Sequence, residues 1–201
     1  MIDLKKYTPE IRTLKDMGDV LYDKEWAKRA NPDLGLYYMY RGLKKNQGMR
    51  YDITVIKALM LGEEFNKTKG HKHKQADEIY IVLKGEAIFL IQIMENNELK
   101  QIYAIKGKRG DVCYIPPQSA HFTINPSKEN DLYLANWVAD NSEFDYDIIQ
   151  DKRGAAYFYT NSGWTKNNNY DIVPKLKFKT PLKEFPKKYI FLEKESPLVD
   201  F

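Results

Sequence analysis

The sequence predicts an all-β fold, a closed or double-sheet barrel with a short N-terminal helix and an extended C-terminal arm. Three observations predict it. Short runs rich in β-branched, aliphatic and aromatic residues recur from about residue 51 onward, each bounded by glycine, asparagine or proline. Helical patterning is confined to one short stretch near the N-terminus. The turns between runs are short and polar, which suits antiparallel hairpins rather than crossover helices.

The elements follow in order. Residues 1–49 read as an irregular N-terminal arm. Within it, Asp23 is placed to cap a helix over 24–30, and Asn31-Pro32 stops it. Residues 51–61 read as the first strand. A strand over 78–84 ends at Gly85, a second covers 87–94, and Glu95-Asn96-Asn97-Glu98 turns the chain into 99–105. Runs at 112–115 and 121–124 flank Pro116-Pro117, which excludes a central strand at that corner. One more strand spans 132–139. The signal weakens after 150, and Asn167-Asn168-Asn169 reads as a loop. From about 160 to 201 the chain carries Pro174, Pro181, Pro186 and Pro197 among many lysines. This extension lies over the barrel or over a partner subunit, or is partly disordered. The 201 residues are expected to form one domain, its barrel core at about 50–150.

Composition removes several function classes. Hydrophobic residues make up 43% of the chain, which argues against general disorder. The net charge of +4 comes from lysines mixed with acidic residues, and no basic run reaches five, so nucleic acid is not an expected partner. No run approaches 18 apolar residues and residues 1–15 lack an apolar leader core, so neither a membrane span nor secretion is expected. The single cysteine, Cys113, sits in an apolar run and reads as a buried structural thiol. A chain without an internal disulfide suits a reducing, cytoplasmic setting.

His71, His73 and His121 are the only histidines. On a strand, i and i+2 share a face, so His71 and His73 can address one ion. The polar stretch 74–77 allows a turn, after which Glu78 starts the next strand and faces back inward. His121 then arrives from a third strand. Three imidazoles and one carboxylate suit one divalent ion per subunit. Fe(II) ranks first, with Mn(II), Ni(II), Co(II) and Zn(II) as alternatives.

These residues carry a resemblance. His71, His73, Glu78 and Gly85, followed by Gly110, Pro116, His121 and Asn125, resemble the two motifs of the cupin superfamily. The stretch 62–73, Glu78-Ile79-Tyr80, Ile115-Pro116-Pro117 and Ala120-His121 are similar to the archaeal-type, cupin glucose-6-phosphate isomerases. Asp145-Tyr146 matches a dipeptide of that family's C-terminal region, and the likeness covers about 20–155. The resemblance implies a double-stranded β-helix (jelly-roll) barrel with metal ligands His71, His73, Glu78 and His121. It also implies active-site positions at Thr54 and Tyr37. Phe144 departs from it, standing where a histidine often precedes the Asp-Tyr pair.

A sugar phosphate needs anion donors at a set distance from the ion. Thr68 offers a hydroxyl, and Gly70 offers a freely approached amide. Thr54 and Tyr146 complete a neutral cradle, while Lys69 and Lys72 alternate outward towards solvent. The implied reaction interconverts glucose 6-phosphate and fructose 6-phosphate. It proceeds through a cis-enediol with Glu78 as base, or by a hydride shift with the ion as Lewis acid and template. Tyr80 shares a face with Glu78 and reads either as a catalytic hydroxyl or as core. The rival readings are an Fe(II) dioxygenase and a non-catalytic sugar-phosphate-binding protein. Ile79, Ile81 and Leu83 form a second apolar face, and its need for cover points to a homodimer.

Overall fold

The computed structural model describes residues 2–96 and 98–197, and the backbone of 199–200. Two six-stranded sheets face each other and enclose the core. The chain order of the elements is β1 (Glu10–Thr13), α1 (Lys24–Arg29), β2 (Gly35–Asn46), β3 (Met49–Ile56), β4 (His71–His73), β5 (Glu78–Lys84), β6 (Glu86–Glu95), β7 (Glu98–Lys108), β8 (Val112–Ile115), β9 (Ser119–Ile124), β10 (Leu132–Ala139), β11 (Phe144–Asp145), α2 (Asp147–Asp151), β12 (Tyr157–Thr160), β13 (Gly163–Lys166) and β14 (Lys177–Lys179). One sheet runs β11-β4-β9-β6-β7-β14 and the other β8-β5-β10-β3-β2-β1. A smaller sheet joins β12 and β13 to two-residue strands at Met60–Leu61 and Glu64–Phe65.

Strand alternation divides the apolar residues into two layers. Leu36, Val82, Phe89, Ile91, Phe122 and Leu134 belong to the inner core. Tyr51, Ile53, Ile79, Ala135 and Trp137 form an outer layer on the second sheet. That outer layer is covered by the chain's own C-terminal segment. Phe185 and Leu192 are buried against it, and Trp137 Nε1 donates to Ser196 Oγ at 3.0 Å. Burying each of those two side chains contributes about 1.5–3 kcal/mol. The extension therefore lies over the barrel, and part of the apolar face that pointed to a second copy is met within the chain.

Helix α1 starts where expected: the Asp23 side chain accepts from Trp26 N at 2.9 Å, satisfying one orphan donor of the first turn. Cys113 is buried, as its apolar run implied. Residues 1–49 differ from the expected irregular arm, because they supply β1 and the twelve-residue β2 to the second sheet. Both faces of β2 carry aromatics, with Tyr37 inward and Tyr38 and Tyr40 outward, so no polar alternation marks it. Strand β1 is polar because Arg12 faces a pocket rather than the core. The hairpin β12–β13 is a further addition to the expected elements.

A buried ion pair anchors the loop that leads to β4. Lys67 Nζ donates to Glu64 and to Val20 O, and the other Glu64 oxygen accepts from Tyr22 N at 2.9 Å. Removing one partner would leave a buried charge uncompensated, at about 3–5 kcal/mol. Residues 68–70 thus leave from a fixed point.

Candidate metal centre and its pocket

Facing edges of the two sheets bring the four predicted ligands together. His71 and His73 lie on β4, and His71 pairs directly with His121 on β9. Glu78 opens β5 on the opposite sheet, after the bend at 74–77. The Nε2 atoms of the three histidines form a closed triangle with sides of 3.2, 3.1 and 3.1 Å. Glu78 Oε2 lies 3.2 Å from His73 Nε2 and 3.3 Å from His121 Nε2.

A triangle of imidazole nitrogens cannot be explained by hydrogen bonds alone. Each Nε2 is either a donor or an acceptor, so at least one side must join two like atoms. A cation shared by three lone pairs resolves the conflict. The spacing fits as well: at a metal–nitrogen distance of about 2.1 Å, ligands at right angles sit about 3.0 Å apart and tetrahedral ones about 3.4 Å apart. All four ligand atoms lie within 4.8 Å of one another. Burial holds His71 well below the ordinary histidine pKa, and its closeness to His121 further disfavours a positive charge there. Burial also lowers His121, against the pull of Glu78. Both shifts favour the neutral imidazole, the form that a metal ligand takes.

Burial alone would raise the Glu78 pKa, but hydrogen bonding and charge from His121 and His73 outweigh it, so the carboxylate stays ionised. Asn136 fixes its orientation, with Nδ2 donating to Glu78 Oε1 at 2.5 Å. Aromatic rings close the site. Phe144 lies 4.4 Å from the His71 ring and 5.2 Å from the His73 ring, centroid to centroid.

One pocket runs from this cluster and contains the remaining predicted site residues: Tyr37, Thr54, Thr68, Gly70, Tyr80 and Tyr146. Tyr80 is buried, and its pKa is pushed well above the ordinary value by burial and by the charge of Glu78. Its hydroxyl stays protonated and able to donate. The Thr68 hydroxyl accepts from Thr123 N at 3.0 Å, which leaves its own proton to donate elsewhere. Gly70 has φ +79°, and a Cβ there would lie 2.1 Å from Phe122 Cε1. The close approach this glycine permits is thus to a core ring. The Tyr37 hydroxyl accepts from Lys69 N at 3.2 Å.

Lys69 differs from its expected outward placement: it lines the pocket, with Nζ 5.8 Å from the Tyr146 ring centroid. Irregular backbone before β4 removes the alternation on which the expectation rested. The pocket also holds residues absent from the sequence reading, namely Arg12, Arg41, Arg50, Asp52 and Asn136. Two signals could have found some of them. Arg50, Asp52 and Thr54 alternate along β3, and Asn136 interrupts the apolar strand β10. Asp52 and Tyr80 both pair with Asn136 in register, so the three form one inward row across the sheet.

Residues 34–175 match the family described as glucose-6-phosphate isomerase (GPI). Among curated proteins, the glucose-6-phosphate isomerase of Pyrococcus horikoshii is 34% identical over 148 residues, covering 71% of this chain and 76% of that protein. Those of Pyrococcus abyssi and Pyrococcus furiosus are each 32% identical over 148 residues, with the same coverage. Among solved structures, a predicted oxalate decarboxylase of Thermotoga maritima aligns with TM-score 0.45 and 21% identity, covering 69% of this chain and 97% of that one. An oxalate oxidase bound to glycolate aligns with TM-score 0.42 and 19% identity, covering 52% of this chain and 51% of that one.

Proposed function

The chain belongs to the glucose-6-phosphate isomerase family, and on that premise we propose that it interconverts glucose 6-phosphate and fructose 6-phosphate at the His71, His73, Glu78 and His121 centre. The observation that carries this reading is the closed triangle of Nε2 atoms with one ionised carboxylate beside it, opening into a pocket with phosphate donors.

These four residues would hold a divalent ion, which would supply Lewis acidity toward the sugar's carbonyl end. Fe(II) is the first candidate, with Mn(II), Ni(II), Co(II) and Zn(II) behind it. The protein's own groups do the rest. Thr68, the Gly70 amide, Thr54, Tyr37 and Tyr146 bind the phosphate and set the distance of C1 and C2 from the centre. Tyr80 donates to a sugar oxygen as charge develops there. Asn136 holds one Glu78 oxygen so that the other faces the histidines.

Glu78 has competing duties. A carboxylate held ionised by two histidines is a good ligand and a weak base. The proton route requires it to swing off the histidines when sugar binds. The hydride route leaves it in place. Turnover in deuterated water decides between them: deuterium at the transferred position contradicts a pure hydride shift.

The protein is proposed to act as a cytoplasmic homodimer. Outward residues Tyr38, Tyr40 and Val55 on the second sheet lie around an open hollow that a second copy can fill. Light scattering at a monomer mass contradicts the dimer. No helix among the described residues is long and apolar enough to cross a membrane.

The deciding experiment for the function is conversion of fructose 6-phosphate by metal-stripped protein reloaded separately with Fe(II), Mn(II), Ni(II) and Zn(II). Activity restored by a metal supports the reading. Metal bound without turnover removes it and favours a dioxygenase or a binding protein.

A further inference from the structure

Four cations line the pocket, and their partners separate them. Arg50 Nε donates to Asp52 at 2.9 Å. Arg41 Nε donates to Glu10 at 2.8 Å, and its Nη2 contacts Met39 Sδ at 3.2 Å. The charges of these two are therefore answered by Asp52 and Glu10. Lys69 rests beside the Tyr146 ring, and no carboxylate among the described residues forms an ion pair with it.

Arg12 stands apart. Its ion pair is a 3.7 Å approach from Nη2 to Glu10, a residue half exposed and already bound to Arg41; the Tyr37 hydroxyl and Asp16 also lie within its electrostatic reach. Its Nε is buried and has no hydrogen-bond partner. A buried donor without an acceptor is costly, and Arg12 lines the pocket, where an anionic ligand can answer its charge. Strand pairing fixes the place: Arg12 lies directly opposite Tyr37, whose hydroxyl receives Lys69 N. The guanidinium therefore sits against the loop 68–70 that runs into the first metal ligand.

We propose that Arg12 grips the phosphate of the substrate and is the residue that makes the pocket selective for phosphorylated sugar. The proposal rests on the sugar-phosphate reading above and adds to it a charged donor. Charge balance agrees. A phosphate monoester carries about −1.5 to −2 at neutral pH, and Arg12 with Lys69 supplies two positive charges not answered within the pocket. A guanidinium fork also matches two phosphate oxygens at once, which an ammonium cannot do. Arg12 lies outside residues 34–175, the segment matched by the family, so this contact belongs to the chain's own N-terminal strand.

The test uses metal-loaded protein and inorganic phosphate, with binding read by calorimetry and inhibition of fructose 6-phosphate turnover read in parallel. R12Q is expected to weaken phosphate binding and raise the sugar-phosphate KM about 10- to 100-fold, with kcat within about threefold. R12K is expected to recover part of the loss. A phosphate Kd in R12Q within twofold of the parent protein overturns the proposal. If R12Q fails to fold by circular dichroism, R12K decides, and an unchanged Kd in that variant overturns it equally. Phosphate binding needs no turnover, so loss of the isomerase reading and loss of the Arg12 contact are distinguished.

Discussion

At one end of the pocket, His71, His73 and Glu78 come from one short stretch of chain and His121 from a strand paired with it. The proposed anion end, Arg12, Tyr37, Lys69 and Tyr146, comes from segments spread over most of the sequence, and it reaches back to the cluster through the Tyr146 ring, 5.8 Å from that of His71. The metal end is held by sheet register, burial and direct contacts among the ligands. The anion end is assembled by the packing of an N-terminal strand and a loop. The first end should therefore fail all at once, whereas the second should fail by degrees.

Removing a ligand breaks the metal end most severely. H73A and H121A are expected to lose metal and to show no detectable turnover, checked by metal content and assay of the same sample. E78Q keeps the shape and removes the ionised oxygen. It should lower kcat by about 10²- to 10⁴-fold, and full activity would exclude Glu78 as ligand and as base. N136A frees Glu78 Oε1 and should weaken metal affinity about 10- to 100-fold, read by chelator competition.

Smaller, graded effects are expected at the anion end. T68A removes one hydrogen-bonding group, worth about 0.5–1.5 kcal/mol, and should raise the sugar-phosphate KM by about 2- to 10-fold while metal affinity holds. The smallest effect tests the support of β1. Asp16 accepts from Thr13 N at 2.9 Å and from Thr13 Oγ1 at 2.8 Å, next to Arg12. Those hydrogen bonds hold the Asp16 pKa below its ordinary value. Its contribution is therefore complete above about pH 4 and is lost as pH falls through the lowered value, because the unfolded chain binds the proton first. D16N should cost about 0.5–1 kcal/mol in denaturant unfolding at pH 7. The difference from the parent protein should shrink in acid.

The same contrast explains what could be read before the fold was known. The strands at 78–84, 112–115 and 132–139 were legible because they are short, apolar and bounded by turn residues. The cluster of His71, His73, Glu78 and His121 was legible because i and i+2 on a strand share a face, and because three histidines in the whole chain leave few alternatives. Arg12 was not legible: a four-residue polar strand carries no periodicity, and its role depends on pairing with Tyr37 across 25 residues of chain. Strand β2 was hidden because aromatic residues face both ways. Lys69 was misplaced by extending strand alternation into backbone that is not strand. Local motifs marked the His/Glu cluster, and only tertiary pairing brings Arg12 beside Tyr37.

One pocket is proposed to hold a metal at His71, His73, Glu78 and His121 and the phosphate beside Arg12. Phosphorus NMR relaxation of fructose 6-phosphate bound to Mn(II)-loaded protein tests it most directly. Strong paramagnetic enhancement is expected at a metal–phosphorus separation beyond direct coordination. R12Q is expected to weaken the titration without moving that distance. Phosphorus in direct contact with the metal, or phosphate relaxation untouched by Mn(II) while the sugar is bound, would contradict it.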